Sequence, residues 1–182
     1  MADGGTGSVI VLTGPCGAGK STVARVLAGR LTPSVRLHGD DFFGFIERGA
    51  IAPYLPQAQH QNETVIDVQA TAAAGYAAGG YHVVFDGVVG PWFLAPFHRA
   101  AAEAGVPLDY VVLRPERDVV MARATARGTG ALTDPEAIGQ MFDEFADLGD
   151  LEPHALDSGA LTPEQTADTI ASALASGAYR LR

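Results

Sequence analysis

Lysine is almost missing from this chain: of its 12 Lys and Arg residues 11 are arginines, and the one lysine is Lys20. Cysteine is as scarce. Cys16 stands alone, so no intramolecular disulfide forms and nothing points to an oxidising compartment. No apolar run approaches the ~20 residues that span a bilayer. The opening MADGGTGS has neither the positive charge nor the apolar stretch of a secretion signal. We therefore expect a cytoplasmic protein without a membrane partner, its residues 1–7 a flexible lead-in. Basic charge is short overall. Against 21 Asp and Glu the formal net charge is −9, with a pI near 4.8, which argues against a nucleic-acid partner that needs a basic face. The five histidines show no metal-ligand spacing.

The shortage of cations is uneven. From Gly128 to Tyr179 there is no Lys or Arg, while ten carboxylates run from Asp134 to Asp168. Such a run reads as a solvated acidic face or as a rim that draws a cationic substrate. What the chain does hold is apolar alternation. At 182 residues and 47% hydrophobic it can bury one core, so we expect a single domain, 1–182. Short β-rich runs at Val9–Thr13, Ser34–His38, Tyr81–Asp86, Leu108–Leu113 and His154–Leu156 alternate with helical stretches. The helices are expected at Ser21–Leu31, Phe42–Arg48, Glu63–Ala78, Trp92–Glu103, Arg117–Arg127, Pro135–Asp147 and Pro163–Ala175. Thr133 with Glu136 and Thr162 with Gln165 have capping-box spacing. Strands alternating with helices predict parallel pairing through right-handed crossovers: an α/β three-layer α/β/α sandwich on a five-stranded parallel sheet.

The lone lysine falls in GPCGAGKS, directly after the first apolar run. Gly14, Gly19, Lys20 and Ser21 match Gly-x4-Gly-Lys-Ser/Thr, the P-loop. Glycines let the backbone N–H groups converge on an anion, and the helix that follows adds free donors and a partial positive charge. Gly14, Pro15, Cys16, Gly17, Ala18, Gly19, Lys20, Ser21 and Thr22 are thus expected to bind a nucleoside triphosphate, ATP with GTP left open. Lys20 reaches the β- and γ-phosphates and Ser21 ligates Mg²⁺. After the second strand, HGDDFF brings Asp40 and Asp41 to the same sheet edge, where a carboxylate can take the proton of an attacking hydroxyl. Asp40, the first of the two, is read as the base; Asp41 caps the following helix or touches Mg²⁺ or substrate. Asp86, closing YHVVFDG, is expected at the metal, directly or through water. Arg123 and Arg127, before the Gly-rich GTG, fit a lid over about residues 123–134 that neutralises charge during transfer. Arg114 and Arg117 read as surface residues.

Together these features give the chain a likeness to small P-loop kinases of the nucleoside-kinase-like group, most of all to the chloramphenicol phosphotransferase-like family. GPCGAGKS, the Asp of HGDDFF and RATARG at Arg123–Gly128 carry the resemblance. It implies the P-loop NTPase fold, an Asp40 that activates a substrate hydroxyl, and Arg123 and Arg127 on the nucleotide. HGDDFF also resembles uridine and nicotinamide riboside kinases. The sequence departs from the family in having Gly87 rather than a second acidic residue after Asp86.

Residues 49–62, with Pro53, Pro56 and three glutamines, are too long for a plain connector and read as a substrate-side excursion. Phe42, Phe43, Gln57, Gln61, Asn62, Trp92 and Phe93 are the expected pocket liners beside Asp40 and Asp41: amides fix hydroxyls and aromatics cover an apolar body. The expected reaction is ATP-dependent phosphoryl transfer to a hydroxyl of a small molecule, an antibiotic or a metabolite. A nucleoside or nucleotide kinase and a non-catalytic nucleotide-binding switch are the alternatives. The oligomeric state is not legible.

Overall fold

A computed structural model describes residues 7–126, 128 and 132–181. Five parallel strands, β1 (Ser8–Thr13), β2 (Ser34–His38), β3 (His82–Asp86), β4 (Leu108–Leu113) and β5 (Ala155–Leu156), form one sheet in the order β2-β3-β1-β4-β5. Helices α1 (Lys20–Ala28), α2 (Gly39–Gly44), α3 (Gln59–Ala78), α4 (Leu94–Ala104), α5 (Arg117–Thr125), α6 (Pro135–Glu144) and α7 (Pro163–Ser176) connect them. The expected α/β/α sandwich is therefore what the chain forms. No helix among the described residues is long and apolar enough to cross a membrane.

Side chains alternate across the sheet because a strand repeats every two residues. Val9 and Val11 of β1, Val83 and Phe85 of β3 and Tyr110 of β4 enter one core with Ala70 and Ala73 of α3 and Phe97 of α4. Ile10, Leu12, Val84, Val111 and Leu113 enter the opposite core with Leu27 of α1 and Ile170 of α7. The central strand is sealed on both faces, so its only free end is the carboxyl edge. In open parallel sheets that edge, at the reversal of strand order, is where ligands lie.

The differences from expectation are local and have causes. α2 starts at Gly39, not Phe42, because β2 turns straight into it; a Cβ at Gly39 would stand 3.0 Å from the Phe85 ring. Asp40 and Asp41 thus occupy the first turn of α2, where their charge suits the helix dipole, and neither caps it. Pro91–Phe93 form a 3-10 turn of their own ahead of α4. At α6 the cap is Asp134, which accepts the Glu136 N–H, rather than Thr133. The Thr162–Gln165 capping box at α7 is present as expected.

Candidate active site

The loop after β1 is shaped by glycines that nothing else could replace. Gly14 has φ 137°, and a Cβ there would lie 2.1 Å from the Leu113 carbonyl oxygen. Gly17 has φ 92°, and its Cβ would lie 2.5 Å from the Val120 carbonyl oxygen. The loop can sit under α5 only if both positions lack a side chain. Gly19 then opens α1. The Lys20 ammonium donates to the carbonyls of Gly14 (2.8 Å) and Pro15 (3.0 Å), folded over its own loop.

Ser21 and Asp86 meet as the sequence suggests: the Ser21 hydroxyl donates to Asp86 Oδ1 at 2.7 Å. The Asp86 side chain is fully buried and carries two further partners from β2. Arg36 donates to Oδ2 at 3.0 Å, and His38 Nδ1 lies 2.7 Å from Oδ1. A carboxylate only accepts, so Nδ1 bears the proton and Nε2 is left to face Asp40, whose Oδ2 lies 3.8 Å away. Neither Arg36 nor His38 stands out in the sequence. Their signal is register: His38 pairs with Asp86 across β2 and β3.

A cavity of about 1220 Å³ opens over this carboxyl edge. It brings together Cys16, Lys20, Ser21, Asp40, Phe43, Asn62, Asp86, Trp92 and Phe93, residues drawn from separate parts of the chain. Asp41, Phe42, Gln57 and Gln61 are not among its described walls, and the reasons are visible. Asp41 is one residue further round α2 than Asp40, a rotation of about 100°. Phe42 packs edge-on against Phe45, with ring centroids 5.8 Å apart. The Gln61 amide is used within the excursion, bonding both the N–H and the carbonyl of Ile51 at 2.8 Å. Gln57 lies exposed in the 3-10 turn Pro56–Ala58. Arg123 reaches the P-loop, its guanidinium 4.0 Å from the position of a Cβ on Gly19. Arg127 lies outside the described residues, as do 129–131 of the expected lid.

Sequence reasoning gave α6 as a helix but named none of its residues as pocket liners. Read there as part of an acidic helical stretch, it forms a wall of the cavity through Asp134, Ala137, Gln140, Met141 and Glu144. Met141 Sδ accepts the Cys16 N–H at 3.3 Å, and Val120, Ala124 and Ile138 make a small core between α5 and α6. Arg117 donates to Asp143 and stacks 5.4 Å over the Phe142 ring, so it ties α5 to α6. Arg114 holds Glu152 through two hydrogen bonds of 2.9 and 2.7 Å. Both arginines, read from the sequence as surface residues, hold partners within the fold.

Among the described residues no cluster of three or more His, Cys, Asp or Glu side chains could hold a metal ion. One hydroxyl beside one buried carboxylate does suit Mg²⁺, which keeps several waters and takes its remaining ligands from phosphate oxygens.

A family model described as an AAA domain matches residues 9–148. Among curated proteins, the ABC transporter G family member 3 of Arabidopsis thaliana is 41% identical over 54 residues, which cover 23% of this chain and only 7% of that protein. The APS kinase CysC of Mycobacterium tuberculosis, solved with AMPPNP and APS, superposes with a TM-score of 0.71 at 16% identity, over 93% of this chain and 98% of that one. The Deinococcus radiodurans tunicamycin resistance protein gives 0.69 at 16% identity, over 92% and 95%. A sugar kinase from Janibacter sp. gives 0.68 at 19% identity, over 93% and 95%. At these identities the likeness is one of fold, shared across nearly the whole of each chain.

Proposed function

The chain belongs to the AAA domain family, and from that premise we propose that it is an ATP-dependent kinase of the chloramphenicol phosphotransferase-like type. In this reading it transfers the γ-phosphoryl group to a hydroxyl of a small molecule. One observation carries the reading: the P-loop pair Lys20–Ser21, the buried Asp86 and a second, exposed carboxylate, Asp40, line one cavity with room beyond for an acceptor. A switch needs no such second carboxylate beside an acceptor chamber.

The roles follow from placement. The P-loop N–H groups and Lys20 hold the triphosphate, and Arg123 neutralises charge as the γ-phosphoryl moves. A Mg²⁺ at Ser21 and Asp86 would withdraw charge from the phosphate oxygens. Arg36 and His38 keep the Asp86 carboxylate fixed in one orientation. Asp40 accepts the acceptor's hydroxyl proton while the oxygen forms its bond to Pγ; the bond from Pγ to the β,γ-bridging oxygen breaks, and ADP leaves with the electron pair. Phe43, Trp92 and Phe93 cover the acceptor and exclude water, so that hydrolysis does not compete.

The test is a mass-spectrometric screen for ATP-dependent phosphoryl addition over hydroxyl-bearing antibiotics, sugars, nucleosides and vitamin precursors. Asp40→Asn is expected to keep its nucleotide affinity and to lose transfer by about 10²–10⁴-fold, the usual contribution of a positioned base. Near-normal transfer in that variant moves the base elsewhere. Fast ATP turnover with no acceptor at all favours a hydrolytic switch.

A further inference from the structure

The structure divides the ten carboxylates of Asp134–Asp168 into groups with different fates. Asp143, Glu152 and Asp168 are paired with Arg117, Arg114 and Arg30. Asp147 and Asp157 accept the N–H groups of Gly149 and Gly159 and so shape turns. Asp134 and Glu144, at opposite ends of α6, line the cavity instead. Asp134 caps α6 through one oxygen, and Glu144 has no ion pair among the described residues.

The remaining polar lining has the same character. Among the described walls Lys20 is the one lysine or arginine, and it donates to the P-loop carbonyls. The Asn62 amide nitrogen donates to the Pro53 carbonyl at 2.7 Å, while its Oδ1 is shielded from solvent and accepts no hydrogen bond. The Gln59 amide nitrogen is engaged by Glu63. Away from the P-loop and His38, the charged side chains of the described walls are therefore all carboxylates, while Tyr54, Thr133 and Gln140 supply neutral donors. Trp92 adds an aromatic face, 45% exposed and braced by Phe145 with ring centroids 5.4 Å apart. Such a face attracts a cation.

We infer that the phosphoryl acceptor is an amino alcohol with an aromatic or apolar body, whose ammonium group is received by Glu144 at the C-terminal end of α6, next to Phe145 on which Trp92 packs. The inference rests on the kinase reading of this site. Anionic acceptors, phosphorylated nucleosides included, are disfavoured by the same lining. Desolvation already holds the Glu144 carboxyl above its ordinary range, and a neighbouring ammonium would bring it down again by favouring the charged form.

Three alcohols of one skeleton test this: 2-amino-1-phenylethanol, 1-phenyl-1,2-ethanediol and mandelate, which are cationic, neutral and anionic at pH 7. Each is assayed for ATP-dependent phosphorylation and, separately, for binding by calorimetry. The amine is expected to exceed the diol by about tenfold or more in kcat/KM and in affinity, with mandelate weakest. Glu144→Gln is expected to collapse the amine-to-diol ratio towards one through KM rather than kcat. A diol or mandelate that matches the amine, or a ratio that Glu144→Gln leaves intact, overturns the inference while the kinase reading stands. Tight, Glu144-dependent binding of the amine with no transfer to any of the three has the opposite meaning: the ammonium site holds and the kinase reading fails for these acceptors.

Discussion

At the residue scale, the arginines of this molecule are mostly fixed structural partners. Arg30, Arg36, Arg99, Arg114, Arg117 and Arg180 each hold one carboxylate. Exposed pairs of this kind contribute little individually. Arg114 with Glu152 is the more constrained case, because the guanidinium also donates to the carbonyls of Phe145 and Ala146 while Glu152 accepts the Leu148 N–H. The Arg114 hydrogen bonds, then that backbone bond, bring the Glu152 carboxyl down to about 2. A carboxyl whose folded value is depressed lends stability above its ordinary value near 4.5, and that stability is lost as pH falls through the interval towards 2. Glu152→Gln is accordingly expected to melt below the wild type at pH 7, with the gap closing between about pH 4.5 and pH 2. Thermal unfolding at pH 7, 4 and 2.5 reads this directly. A gap that stays constant with pH would mean that Glu152 acts through packing.

At the scale of elements, the P-loop is held from above as well as from its own strand. The carbonyl of Val120 on α5 and the sulfur of Met141 on α6 both close on it, at Gly17 and at the Cys16 N–H. Gly17→Ala introduces a side chain at φ 92° into a 2.5 Å gap. Strain of this kind costs about 1–3 kcal/mol. It also pushes α5 off the loop and with it Arg123. We expect a lower melting temperature and nucleotide affinity reduced at least tenfold, measured by calorimetry; an unchanged affinity would detach α5 from the site. This roof marks the limit of what the sequence discloses. The P-loop, the strand-end aspartates and the β/α alternation are local patterns, each written in a few adjacent residues. The α6 wall is not: Met141 becomes a neighbour of Cys16 only through tertiary packing, 125 positions away in the chain. The Gln61 amide looked like a ligand group because its residue type suits one. Only the folded excursion shows it engaged by Ile51. His38 and Arg36 were hidden for a related reason, since register between β2 and β3 aims them at Asp86.

At the scale of the whole molecule, two cores clamp the central strand, and the groups around its carboxyl edge come from β1, β2, β3 and the elements that follow them. A ligand seated there touches α1, α2, α3 and α6 at once, so its binding is coupled to the stability of the entire fold rather than to one loop. If a nucleotide binds the folded chain and not the unfolded one, saturation at 100 times its Kd adds about 2.7 kcal/mol. For a chain of this size that corresponds to a rise of roughly 5–10 °C in melting temperature. The wild type and Asp40→Asn are expected to show the same rise with the non-hydrolysable analogue AMPPNP and Mg²⁺, because the proposed mechanism gives Asp40 to the acceptor rather than to the triphosphate. Lys20→Ala is expected to lose it. In the proposed mechanism Arg123 does not replace Lys20, since its guanidinium approaches the loop from α5 at Gly19 rather than from within α1. A Lys20→Ala protein that still gains the full rise would place the triphosphate away from the P-loop and remove the ground on which every role assigned at this edge depends.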